Sequence, residues 1–166
     1  MPFRALLDLV LPVTCAGCDT PGRGMCPGCA AALAGPARPV EPVPPPPGFP
    51  PCWAVAAYDG PARSALLAYK ERSRADLLRP LAGALTAAVT AGASCQLAAL
   101  RAPLDAHSPN GGSLVLVPVP SRPAAIRQRG ADRTLGLARA TAELLARAGI
   151  AARAVPALRL CRPTLD

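Results

Sequence analysis

Two CxxC pairs, Cys15-Ala16-Gly17-Cys18 and Cys26-Pro27-Gly28-Cys29, stand seven residues apart near the start of a chain of 166 residues. Four sulfurs so close in sequence must share a metal, pair as disulfides or serve a redox reaction. A redox motif of the thioredoxin kind is a single CxxC that opens a helix after a strand, and it leaves the second pair without a role. Disulfides fit poorly with seven cysteines, an odd number, and with a start that does not read as a secretory leader. That start, "MPFRALLDLVLP", places Asp8 inside its apolar run and offers no small-residue cleavage site; it reads as a short amphipathic helix stopped by Pro12. The expected location is therefore cytoplasmic, where thiols stay reduced. Four thiolates suit zinc, since each CxxC makes a tight knuckle and bonds of about 2.3 Å close a tetrahedron without an open position. Gly17 and Gly28 are expected to ease the two knuckles, and Pro21, Gly22 and Gly24 to turn the loop "DTPGRGM" between them. Cys15, Cys18, Cys26 and Cys29 are thus predicted to form a structural zinc site, with an iron–sulfur cluster as the other use of the same ligands.

Past "AALAG" the composition shifts. Nine prolines occur in the seventeen residues from Gly35 to Pro51. Such a run predicts a semi-rigid linker, largely polyproline II, reaching about 50 Å if fully extended at roughly 3.1 Å per residue. A PxxP ligand for a partner domain is the alternative. The chain divides accordingly into residues 1–34, 35–51 and 52–166: knuckle, linker and main domain. One long uncharged run, Pro80 to Leu100, could span a bilayer by length alone. Its Ala, Thr, Gly, Ser and Gln make it a better core helix, and no membrane span is expected.

The main domain reads as α/β. "CWAVAAY" predicts a strand ended by "DGP", after which Leu66, Leu67 and Tyr69, then Leu77, Leu78, Leu81 and Leu85, follow helical spacing either side of a polar break. Alternating Leu and Val from Leu114 to Val117 predict a strand closed by Pro118 and Pro120. A basic loop follows, then a helix with Asp132 as N-cap and Gly149 as its stop, then a strand in "ARAVPALRL". Strand, helix, strand in this order implies a parallel pairing. Ligands of open α/β sheets bind beyond the carboxyl ends of strands, and here Arg122, Arg127, Arg129 and Arg133 surround that point, with Gly130 allowing close backbone approach. Phosphate or pyrophosphate is the natural guest. Lys70 joins these candidates as the one lysine among 18 basic residues. A net charge of +8 agrees with an anionic partner.

Three blocks in this order, "LLDLVLPVTCAGC", "AAYDGPARSALLAYKERSRADLLRPLAGAL" and "LVLVPVPSRPAAIRQRGADRTLGLARATAELLARAGI", resemble the ComF family of phosphoribosyltransferase-like proteins associated with competence and DNA uptake. The resemblance spans nearly the whole chain apart from the proline run. It implies a partial type I phosphoribosyltransferase fold, a parallel sheet with flanking helices, that binds phosphoribosyl pyrophosphate (PRPP) with Mg²⁺ in a complete form. Arg127, Arg129, Gly130 and Asp132 match the family's pyrophosphate-side loop, with Asp132 where many relatives have Asn. Lys70 and Arg72 fall in an altered version of a second family block. Relatives also carry two adjacent acidic residues before a Thr- and Gly-rich turn, and no two acidic residues are adjacent in this sequence. The expectation is accordingly the first two-thirds of a ComF-like protein, inactive alone. The alternative is a non-enzymatic zinc adaptor that contacts single-stranded DNA or a DNA-uptake protein.

Overall fold

The computed structural model describes residues 13–100 and 113–161, so the expected helix within residues 1–12 lies outside it. The first elements are α1 (Pro27–Ala31), β1 (Arg38–Val40), β2 (Cys52–Ala54) and α2 (Gly60–Glu71). A 3-10 turn at Ala75–Leu77 leads into α3 (Leu78–Leu100). After it come β3 (Leu114–Leu116), α4 (Pro123–Arg129), α5 (Arg133–Arg147) and β4 (Ala152–Ala154).

Each long helix buries one stripe at helical spacing. On α2 the stripe is Ala65, Ala68 and Tyr69, on α3 Leu81, Ala84 and Ala88, and on α5 Ala138, Thr141, Ala142 and Leu145. With few aromatic residues to fill space, alanines let α3 and α5 approach each other closely, and Leu77 and Leu145, both fully buried, supply the bulk. The fully buried hydroxyl of Thr141 is satisfied within its own helix, donating to the Leu137 carbonyl at 2.9 Å. Removing either leucine side chain would cost about 2–5 kcal/mol, the usual range for a large-to-small change in a packed core.

Two small sheets pack on these helices. β3 and β4 are parallel, Leu114 opposite Ala152 and Leu116 opposite Ala154, with α4 and α5 in the crossover. The expected strand–helix–strand unit is therefore present as a parallel pair, and α5 is bounded as its end signals suggest. Asp132 caps it, accepting from the Thr134 and Leu135 amides at 3.1 Å, and Gly149 follows it at φ 81°. Among the described residues the parallel pair has two strands, which makes the architecture mixed α/β and goes no further towards a phosphoribosyltransferase sheet.

Four expectations need correction. The strand read in "CWAVAAY" is confined to Cys52–Ala54, and it pairs antiparallel with β1, which lies inside the proline run. Residues 35–51 therefore do not extend as a spacer: Val40 sits opposite Cys52, so the exposed stretch between them returns to its starting point. The loop from Pro118 to Asp132 contains a helix, α4, which starts at Pro123 and ends on Gly130 in the left-handed conformation at φ 70°. Both are ordinary helix-end signals. Finally, the knuckle is not an appendage. Leu33 belongs to the same buried cluster as Ala65, Ala68, Tyr69, Leu77, Leu81 and Ala84, with Ala16 and Met25 packed against it. No helix among the described residues is long and apolar enough to cross a membrane.

Candidate metal centre and anion cavity

The knuckle is tied by its backbone before any metal is considered. A bridge joins Thr14 and Pro21, the Cys15 amide donates to the Thr20 carbonyl at 2.8 Å, and the Ala16 amide donates to the Gly24 carbonyl at 2.9 Å. Asp19 and Gly22 take positive φ, 58° and 97°, to close the loop. Cys26 then caps α1, its sulfur accepting from the Cys29 amide at 3.4 Å. These constraints bring the Sγ atoms of Cys15, Cys18, Cys26 and Cys29 within 4.8 Å of one another. Cys18 and Cys26 are 3.7 Å apart, close to the edge of about 3.8 Å that a tetrahedron of 2.3 Å zinc–sulfur bonds requires. All seven cysteines are free, so no disulfide competes for these sulfurs.

Gly17 matters here for closeness rather than for a turn. A Cβ on it would stand 2.7 Å from the Cys29 sulfur, whereas one on Gly28 would meet nothing within 4 Å. Cys15 and Cys29 are buried while Cys18 faces solvent, so the cluster lies at the surface with two of its ligands rooted in the interior.

The thiols are strongly differentiated. Cys15 is pushed down to about 6, chiefly because the Cys26 amide donates to its sulfur at 3.3 Å, with the Gly17 amide adding to this against the cost of burial. The Cys18 thiol is also lowered, first by its hydrogen bond with the Thr20 hydroxyl. Cys29 is pushed up to about 12 by its contact with Cys26, by burial and by the neighbouring sulfurs. Four sulfurs packed so tightly cannot all ionise unaided, and a bound dication is what would let them. The set is therefore chemically suited to a metal ion such as zinc.

The second candidate site is a cavity of about 260 Å³ beyond the carboxyl end of β3. Lys70, Arg122 and Arg129 bring positive charge to it, and Ser121 and Thr134 bring hydroxyls. Arg129 is only 18 % exposed and its terminal nitrogen donates to both carboxylate oxygens of Glu71 at 2.7 Å, while its Nε is buried without a partner. The structure thus brings Lys70, Arg122 and Arg129 to one cavity. It does not bring the others: Arg127 and Arg72 are exposed and outside the lining, Gly130 ends α4, and Asp132 is spent on capping α5 and on the Ser121 hydroxyl at 2.8 Å. Asp132 already takes two of the free amides at the start of α5, those of Thr134 and Leu135. Arg133, grouped with these residues by sequence, instead lies 5.6 Å over the Tyr69 ring, whose hydroxyl donates to the Arg133 carbonyl. Glu71, Ser121 and Thr134 were not legible as site residues; Glu71 is adjacent to Lys70, but nothing local signals its pairing with Arg129.

Compared with known proteins, the chain matches no family model, no curated protein and no solved structure.

Proposed function

We propose that this chain holds a structural zinc ion at Cys15, Cys18, Cys26 and Cys29 and binds the phosphate groups of a phosphorylated ligand in the Lys70–Arg122–Arg129 cavity. The observation that carries the reading is the gathering of Lys70, Arg122 and Arg129 around one cavity against a single carboxylate, Glu71, which orients the Arg129 guanidinium. A planar fork of this kind matches phosphate oxygens, and partial burial strengthens the pairing. Taken with the ComF resemblance, the ligand class is PRPP or pyrophosphate, and the lineage is that of a phosphoribosyltransferase-type transferase linked to competence or nucleotide metabolism.

Zinc has a closed role in this reading, since four protein sulfurs leave no position for a substrate. It holds the knuckle and takes no part in any reaction. Mg²⁺ does not find a donor set in the cavity: Glu71 is the one carboxylate lining it, and that carboxylate is engaged by Arg129. Any Mg²⁺ arrives on the ligand's own phosphates, and no transfer step is assigned to this chain.

The reading is tested by titrating the zinc-loaded chain with pyrophosphate and with PRPP while following its thermal midpoint. A rise that vanishes in Arg129→Ala supports it. Absence of any rise with either ligand rejects it. Binding of single-stranded DNA that weakens steeply with salt, without a pyrophosphate response, would favour the adaptor reading instead.

A further inference from the structure

The metal cluster and the anion cavity are joined by one turn of chain. Lys70 and Glu71, which line the cavity, are the last residues of α2, and Ser73 and Arg74 follow at once. Ser73 takes φ 54°, a left-handed conformation that costs a non-glycine residue free energy and needs surrounding contacts to hold it. The Arg74 amide supplies one, donating to the Ala68 carbonyl at 3.2 Å across the helix end, and the Arg74 side chain supplies others. Its Nε and terminal nitrogen grip the two Asp76 oxygens, each at 2.8 Å, and the same terminal nitrogen donates to the Thr14 carbonyl at 3.1 Å and the Gly24 carbonyl at 3.2 Å.

Both carbonyls belong to the knuckle. Thr14 precedes Cys15, and Gly24 lies two residues before Cys26 and also receives the Ala16 amide. Their positions follow from where Cys15 and Cys26 are held. A Cβ on Gly24 would collide with the Asp76 carboxylate, so the fit between knuckle and turn is close. With the metal gone, four sulfurs within 4.8 Å lose the charge that draws them together. Cys15 and Cys26 then shift, and the Thr14 and Gly24 carbonyls move with them, so Arg74 keeps Asp76 and its own amide's bond to the Ala68 carbonyl but loses its two acceptors on the knuckle. The end of α2, with Lys70 and Glu71 on it, loses its tie to the knuckle.

We infer that metal occupancy of the four-cysteine cluster sets the anion affinity of the Lys70–Arg129 cavity, with Arg74 as the positioning residue that couples the two. The inference rests on the phosphate-binding reading above and adds its regulation. Coupling of this kind is reciprocal: if metal tightens the anion, the anion must tighten the metal by the same factor.

The test uses inorganic pyrophosphate as probe and the full chain, zinc-loaded or stripped by a chelator. The expected result is an affinity for pyrophosphate about tenfold lower after stripping, together with an equilibrium zinc affinity about tenfold higher when pyrophosphate is bound. Should the stripped chain unfold, zinc-loaded Arg74→Ala carries the test. It is expected to keep one zinc and its helical content, yet to bind pyrophosphate more weakly and to hold zinc with an affinity indifferent to pyrophosphate. That last readout would not move if Arg74 only supported the fold. Pyrophosphate binding in no state overturns the cavity reading and the coupling with it. Equal binding with and without zinc, or a zinc affinity in Arg74→Ala still raised by pyrophosphate, overturns the coupling alone.

Discussion

At the scale of single residues, the two glycines of the CxxC pairs show how alike positions in sequence differ in space. Gly17 faces the Cys29 sulfur and has no room for a side chain, whereas Gly28 is open to solvent. Gly17→Ala is therefore expected to weaken zinc binding at least about tenfold, since a methyl group there must push a ligand out of a tetrahedron that tolerates shifts of only about 0.2 Å. Gly28→Ala should leave affinity unchanged. A competition titration against a chromophoric chelator separates the two, and equal losses would contradict the geometry. The thiols make a second prediction. With Cys15 lowered to about 6, it is already a thiolate near neutrality and has no proton to give up when the metal enters. Below about 6 it is protonated and must release one. Cys29, raised to about 12, must release its proton throughout. Cys15 alone is thus expected to raise the protons released per zinc by nearly one as pH falls from about 8 to about 5, with the lowered Cys18 adding to the rise and apparent affinity falling alongside. Calorimetry in buffers of different ionisation enthalpy reads this directly, and a constant proton count would argue against the lowered Cys15.

Among the elements, those with strong local signals were legible in sequence. The end signals at Asp132 and Gly149 bounded α5, and the polar break around Ser73 separated α2 from α3. β3 was visible as an apolar run and β4 as the start of a longer predicted strand, of which only Ala152–Ala154 pairs, and their parallel pairing followed from the helix between them. The four cysteines were legible for the same reason, because their contacts are settled by spacing a few residues long. β1 was not, since its sequence, Arg-Pro-Val, has little strand propensity and becomes a strand only through register with Cys52–Ala54. α4 escaped because four arginines drew attention to charge while Pro123 and Gly130 were marking a helix. The pairing of β1 with β2 leads to a third prediction. The exposed stretch from Glu41 to Pro51 connects partners already side by side, so it is far longer than closing the hairpin demands. Replacing it with an Asn-Gly turn is expected to leave the thermal midpoint unchanged or raised, by a loop-closure gain of about 1 kcal/mol. A marked fall in the midpoint would mean that the stretch contributes packing that its exposure does not suggest.

For the molecule as a whole, the decisive feature is long-range and so was hidden from sequence reading. Arg74 reaches back to Thr14 and Gly24, and Leu33, at the end of the knuckle, is buried among residues of α2, α3 and the 3-10 turn. An expected three-part chain of knuckle, spacer and domain has a buried cluster shared between its first and last parts, with Leu137 of α5 packed against it. Metal binding should then be part of the folding free energy of the whole rather than of a small module. The Arg74–Asp76 pair makes stability depend on pH. The Arg74 guanidinium holds the Asp76 carboxyl below its usual range, so the pair's contribution is present above that range and is lost as pH falls through the lowered value. Asp76 is 45 % exposed, so solvent screening keeps this small. Packing contributes more: Leu33→Ala should cost about 2–4 kcal/mol, the range for emptying a buried leucine site. Because the core is shared, that loss is expected to lower the melting of the α5 region as much as that of the knuckle, in one transition followed at the helical signal. Chelation of zinc should move the same transition downward. If instead Leu33→Ala or chelation produced two separate transitions, with the α5 helical signal melting where it did before, the knuckle would be an independent unit and the shared core would carry little of the stability.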